Sequence, residues 1–408
     1  MASTLTLAST FSQLEPITFP LVGNSIAIGI VSLLHIALAS LAVGFTVLAP
    51  ICESMGLNKP FYTDLARTMT RFTLVTFTAS AVLAVIMIEL FIGLFPLTNS
   101  WLFNHFRFPI HLAIAAFLLQ LFALYPYYHF WDAMRARSLR LHIAVGAGAA
   151  ACMLAWVIIL DGIGSSMLTP ATGEARWSRL FNPTWIPLVM HRFVGNLVLA
   201  GYAIAGYAAW RLGQPAAHAD EPYYLHLLRT GVMIGLISLL LQPFTGLLYG
   251  TTIQEAAPQA YDQLTRGPYQ GLVYAQFSLI GLLFLGSYVL LRSARAKPAR
   301  FLWEDGAFLA GAALMVTSVG NPNLRRLFLF FLVALTGWCL FAWGRPFIET
   351  EPRALRRRAA RGISIALAVI SLLTYLTMGT IRETARRPDT VRGMISLQDE
   401  ARTPAADR

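Results

Sequence analysis

The sequence predicts an all-α fold, a polytopic transmembrane helix bundle of nine or ten spans with its N-terminus outside. Three observations predict it. First, 56% of the 408 residues are apolar and only 12% are charged, against roughly 25% charged in an ordinary soluble domain. Mean hydropathy is +0.60, so polar side chains cannot cover the surface and lipid must. Second, the apolar runs have the length of a bilayer core, which takes about 20 helical residues. Third, no run shows the alternating polar and apolar period of a barrel strand, which leaves helices as the spanning element.

The spans fall near residues 24–50, 72–95, 108–128, 141–160, 186–210, 228–250, 270–291, 304–320, 326–344 and 363–381. The eighth is the shortest signal, rich in Gly and Ala with Glu304 and Asp305 at its mouth. Without it the count is nine and the C-terminal tail changes side. Lys and Arg gather in the connections after spans 1, 3, 5, 7 and 9, most densely from Arg353 to Arg361. The N-terminus and the alternate connections carry few, which orients the N-terminus outward. With ten spans the tail also lies outside, its six arginines partly offset by Glu383, Asp389, Asp399, Glu400 and Asp407. The chain thus reads as an outer N-terminal segment (1–23), a transmembrane domain (24–381) and an outer tail (382–408).

The formal charge of +11 does not call for a nucleic acid, because basic inner loops explain it and suit lipid headgroups at 292–303 and 353–361. The first 20 residues hold no Lys or Arg, so a basic signal-peptide start is not expected. Cys52, Cys152 and Cys339 stand far apart, which excludes a disulfide framework, a thiolate zinc site and covalently attached haem.

Ionisable groups inside a bilayer are costly, so the histidines are the natural candidates for function. His35 lies 11 residues into span 1, roughly 16 Å below its outer end. A histidine hydrogen-bonded to a neighbouring helix is the plain alternative. His191 stands near the outer end of span 5, where an interfacial contact is the plain alternative. His105 and His111 mark the outer mouth of span 3. His129 and His142 fall on the inner side and cannot share a compact site with them, and His218 and His226 lie in an inner loop. Four of the eight histidines therefore gather in or near the outer half, on spans 1, 3 and 5. Buried imidazoles beside small residues are a usual way for a helix bundle to hold haem iron. Ala37, Ala39 and Ser40 follow His35, and Gly195, Gly201 and Gly206 follow His191, although helix packing uses small residues equally.

Several segments in order resemble subunit I of the cytochrome bd quinol oxidases. They are LLHIALASLAVGFTVLAPICE (33–53), IELFIGLFPLTNSW (88–101), LRLHIAVGAGAAACMLAWVIILDGIGSSMLTP (139–170), FNPTWIPLVMHRFVGNLVLAGYAIAGYAAW (181–210) and IRETARRPDTVRGM (381–394). The resemblance implies a membrane haem protein that carries respiratory electrons, from a quinol or another donor, to oxygen. It implies haem ligation by His35, His191 and Glu383, with Arg386 beside a haem and Glu383 and Arg386 forming part of the catalytic site; His111, a surplus outer-side histidine that the family pattern does not supply, is a further haem-site candidate through changed ligation. It also implies two or more haem b sites, with haem d open alongside, a subunit II-like membrane partner and a bacterial inner membrane. A c-type cytochrome is an alternative donor, and the competing reading is an electron-transfer or anchor subunit that neither reduces oxygen nor binds quinol. The chain departs from the family in span 3, which has neither of the family's two glutamates and carries Gln120 in the place of one. The quinol loop (253–267) is short and lacks a lysine after its glutamine, with Asp262 standing for a glutamate. No F-R-x-M methionine offers a second axial ligand, an extra hairpin precedes the last motif, and no helix follows it.

Overall fold

The computed structural model describes residues 15–171, 179–293, 303–318, 320–349, 355 and 357–401. Most of the basic segment 292–303, part of 353–361, the breaker Gly173 and the chain ends lie outside these residues. Among the described residues the chain is helical, and nine helices of 24 to 36 residues are long and apolar enough to cross a membrane.

The helices are α1 (Asn24–Met55), α2 (Pro60–Leu94), α3 (Pro96–His129), α4 (Trp131–Arg137), α5 (Leu139–Ser166), α6 (Trp185–Arg211) and α7 (Glu221–Ala256). They continue as α8 (Pro258–Thr265), α9 (Gln270–Ser293), α10 (Trp303–Thr317), α11 (Pro322–Glu349), α12 (Arg358–Thr384) and the single turn α13 (Leu397–Glu400). Proline at the first turn starts α2 and α3, where its missing N–H leaves no bond unmade. Ser138 caps α5 by accepting from the Leu141 N–H. Helix α3 kinks at Phe106 (φ −117°, ψ 22°), three residues before Pro109, whose ring cannot fit a regular preceding turn. Large apolar side chains face outward, as Phe122 at 76% and Phe341 at 84% exposure illustrate. That is the surface lipid covers.

The chain forms two compact units, one within Met1–Val189, Thr252–Pro258 and Arg382–Arg408, the other within Met190–Thr251 and Gln259–Ile381. In the first, α1 lies along α2, and α3 along α5. Ala42, Val43, Phe77, Leu124, Ala149 and Met153 form its middle core. In the second, α6 and α7 touch backbone to backbone: a Cβ on Gly201 would sit 2.3 Å from the Gly235 nitrogen. Only glycine permits that approach.

The eighth expected span is α10, with 15 residues, or about 22 Å, shorter than a hydrocarbon core of about 30 Å. Its start is tied to the end of α9, since Asp305 accepts from Tyr288 at 2.5 Å and pairs with Arg292 at 2.8 Å. Its traverse follows from the first unit. There Arg392 N–H donates to the Met167 carbonyl at the end of α5 (2.9 Å), and the Leu97 and Thr98 N–H groups at the start of α3 donate to Glu400 (3.1 and 2.7 Å). The chain therefore leaves and rejoins this unit at the same membrane face. An even number of crossings must lie between, which requires α10 together with α6, α7, α9, α11 and α12. That face is the one the basic loops place outside.

A cysteine at exposed Met394, in a chain whose own cysteines are replaced, should react with an impermeant maleimide in intact cells. Labelling only after permeabilisation would reverse the orientation.

Candidate haem-binding sites

His35, His111, Glu383 and Arg386 belong to the first unit, and His191 to the second. His35 on α1 sits against Ser80 on α2, its Nδ1 2.9 Å from the Ser80 carbonyl oxygen and 3.1 Å from the Ser80 hydroxyl. A carbonyl oxygen only accepts, so Nδ1 carries the proton and the neutral ring has its lone pair on Nε2. A metal-ligating imidazole is usually held this way, since the bond fixes both tautomer and ring orientation.

His191 is buried on α6 against α7. The Gln242 amide nitrogen lies 3.1 Å from its Nδ1 and 3.2 Å from its Nε2, and donates to the His191 carbonyl at 3.1 Å. Thr245 Oγ1 stands 3.4 Å from Nδ1, and the Tyr249 ring stacks at 5.9 Å. Gly246 leaves the ring room, since a Cβ there would meet the imidazole Cε1 at 3.2 Å. Gln242 Oε1 is buried without a hydrogen-bond partner, an expensive state that marks a polar site.

Glu383, at the end of α12, pairs with Arg386 one turn on. Arg386 also donates to the Thr390 carbonyl (2.9 Å) and approaches the Met167 sulfur (3.0 Å). Its anchoring holds the Glu383 carboxylate, half exposed, at the outer end of the unit. His111 lies on the exposed side of α3 and donates from Nδ1 to the Arg107 carbonyl of its own helix (2.6 Å). His105 bonds the Trp101 carbonyl in the same manner (2.9 Å). Among the described residues no three His, Cys, Asp or Glu side chains converge as a metal cluster, whereas haem iron takes only one or two protein ligands.

Residues 25–283, more than half of the chain, match the family model of cytochrome bd terminal oxidase subunit I. The chain belongs to that family. In fold it is similar to a bd oxidase chain from Geobacillus thermodenitrificans, with a TM-score of 0.54 and 16% identity, covering 89% of this chain and 96% of that one. Comparison with curated proteins returned no match. Membership of the cytochrome bd family implies haem in general, and two positions fit such a group. His35 has a fixed tautomer with a lone pair on Nε2. His191 combines burial, a glycine wall and an orphaned amide oxygen.

The sequence reading missed Ser80 and Gln242, although each is a polar side chain within an apolar run (TASAVLAV and LLLQPF), which is itself a signal. It also passed over Glu53, which is fully buried. Gln120, the departure in α3, is buried, accepts from Trp156 Nε1 at 2.8 Å, and leaves its own Nε2 without a partner.

At the outer end, burial raises the Glu400 carboxyl above the usual carboxylate range, with a smaller push from Asp399, against hydrogen bonds from Thr98 and Leu97 that favour the charged form. A raised carboxyl favours the docked segment below the ordinary carboxylate range. That contribution is lost as pH rises through the raised value. Hydrogen exchange of residues 389–400, corrected for intrinsic rate, should therefore quicken across this window, and Glu400→Gln should remove the dependence. The same pH dependence in the variant would refute the assignment.

Proposed function

We propose that this chain is the haem-bearing subunit I of a bd-type respiratory oxidase in a bacterial inner membrane. It would work beside a subunit II-like partner and carry electrons from a quinol or another donor to oxygen. The observation that carries the reading is His35: a half-buried imidazole with its Nδ1 proton held by a backbone carbonyl, in a chain of this family. Bound haem supplies one-electron chemistry and the iron at which oxygen is reduced.

The protein's part is to hold, orient and neutralise. His35 would ligate through Nε2, kept in register by Ser80 across the α1–α2 seam. His191 would ligate in the second unit, with Gln242 and Thr245 available to bond the ring nitrogen turned away from the metal. Glu383 is the third proposed ligand, its charge balanced by Arg386, which Thr390 and Met167 hold in place. The ring of His111, exposed and bonded to its own helix, contributes least to this reading.

The experiment is oxygen uptake by the purified complex with a quinol or artificial donor, beside reduced-minus-oxidised spectra. His191→Ala should remove a low-spin haem signal. His35→Ala should lower uptake at least about 100-fold, the scale expected when a reacting centre is lost, with the His191 signal retained. Haem present without any donor-driven uptake would favour the electron-transfer subunit instead. Unchanged spectra in both variants would refute the ligand assignments.

A further inference from the structure

The inner end of the first unit holds a buried polar cluster that the ligand assignments leave unused. Glu53 (α1) and His142 (α5) have no exposed side-chain surface. His142 Nδ1 lies 2.7 Å from Glu53 Oε1, and Arg135 (α4) donates to the same oxygen. Tyr127 (α3) donates its hydroxyl to Glu53 Oε2 at 2.8 Å, and its carbonyl oxygen lies 3.1 Å from His142 Nε2. Trp131 packs on His142, Cys52 is buried beside Glu53 in sequence, and the rim is closed by the Arg67–Asp132 pair (2.8 Å).

Both His142 nitrogens thus face oxygen. The Tyr127 carbonyl can only accept, so Nε2 carries a hydrogen. A hydrogen bond between Nδ1 and Glu53 Oε1 then needs a second proton, on the ring or on the carboxyl. With that proton the cluster carries one net positive charge, counting Arg135, and a buried net charge is costly. Without it a ring lone pair points at a carboxylate oxygen at 2.7 Å, which is repulsive. Neither state satisfies the pocket fully.

From this cluster a file of buried hydroxyls runs into the bundle. Thr46, Thr70 and Thr73 line a narrow void with Tyr127, and Thr46 Oγ1 lies 3.5 Å from Thr73 Oγ1. Thr46 and Thr70 also bond their own helix carbonyls at 2.6 and 2.8 Å, which is sufficient for a purely structural role. Yet Ser40 and Ser80, both buried, extend the same α1–α2 seam to His35. Thr46 stands about 10 Å from Glu53 and about 16 Å from His35 along α1. The void between the threonines is too tight for a water as it stands, so transfer along the seam needs the helices to part enough to admit water between these hydroxyls.

We infer that Glu53 and His142 share one labile proton and form an inner-side proton-loading site. It feeds the α1–α2 hydroxyl seam toward the His35 site. A proton from inner water adds to the Glu53–His142 pair and leaves it along the seam, with Arg135 and Tyr127 positioning the carboxylate throughout. The inference rests on the oxidase reading for the fate of the proton and on the cluster alone for its loading. It places the working carboxylate on α1 in a chain whose α3 has Gln120.

The test uses the purified complex and two readouts. Infrared pH titration should show a carboxyl or imidazole proton uptake that is absent from both Glu53→Gln and His142→Gln. Oxygen uptake should fall at least about 100-fold in Glu53→Gln, the low side of a lost proton donor, with haem content unchanged. Glu53→Asp, which keeps the charge if the Gln variants do not fold, should restore uptake with a displaced pH profile. A cluster that is only structural predicts an unmoved profile in Glu53→Asp and an unaltered infrared titration in the Gln variants. Either result would overturn the inference. A complex that consumes no oxygen before any substitution would refute the oxidase reading and the seam's destination together, while the infrared titration would still decide the loading.

Discussion

A polar group inside a bilayer has no water to satisfy it, so charges and N–H groups in the core are driven to find partners within the protein. The first unit is arranged by that constraint. At its inner end one carboxylate, Glu53, collects Arg135, His142 and Tyr127 from three other helices. Midway, hydroxyls lie between α1 and α2. Higher up, His35 gives its Nδ1 proton to Ser80. The outer end is closed by Glu400, which caps the start of α3. Each contact joins different helices. Polar satisfaction therefore also sets which helices are neighbours and in what register.

The spans were legible because a run of about 20 apolar residues has one reading. Sidedness is read from the basic loops alone, and the docking of residues 392–400 shows that the tail returns to the face where α5 ends and α3 begins. The weak eighth span is a true element but a short one: Asp305 closes onto Arg292 and Tyr288, and 15 residues remain for α10. Parity of crossings, which needs the contact of Arg392 with Met167, assigns it a traverse. The two-unit division was not legible, since it depends on residues 252–258 and 382–401 returning to the first unit.

The site was legible as residue types and not as partners. His35 and His191 stood out as lone histidines in apolar spans. Their holders, Ser80 and Gln242, are 45 and 51 residues away, and no local pattern links them. His142 was set aside because it lies on the inner side, away from the other candidates. The structure puts it at the Glu53 end of α1, away from His35, where it pairs with Glu53, 89 positions earlier. The tail is the extreme case, with Thr98 and Glu400 separated by 302 positions.

The central claim is that imidazoles in this bundle hold haem. Haem extraction from the purified, unsubstituted protein, read as the pyridine haemochrome spectrum against protein mass, tests it most directly. The account predicts b-type haem bound at two or more per chain. Protein that is folded and assembled yet yields no haem would contradict it.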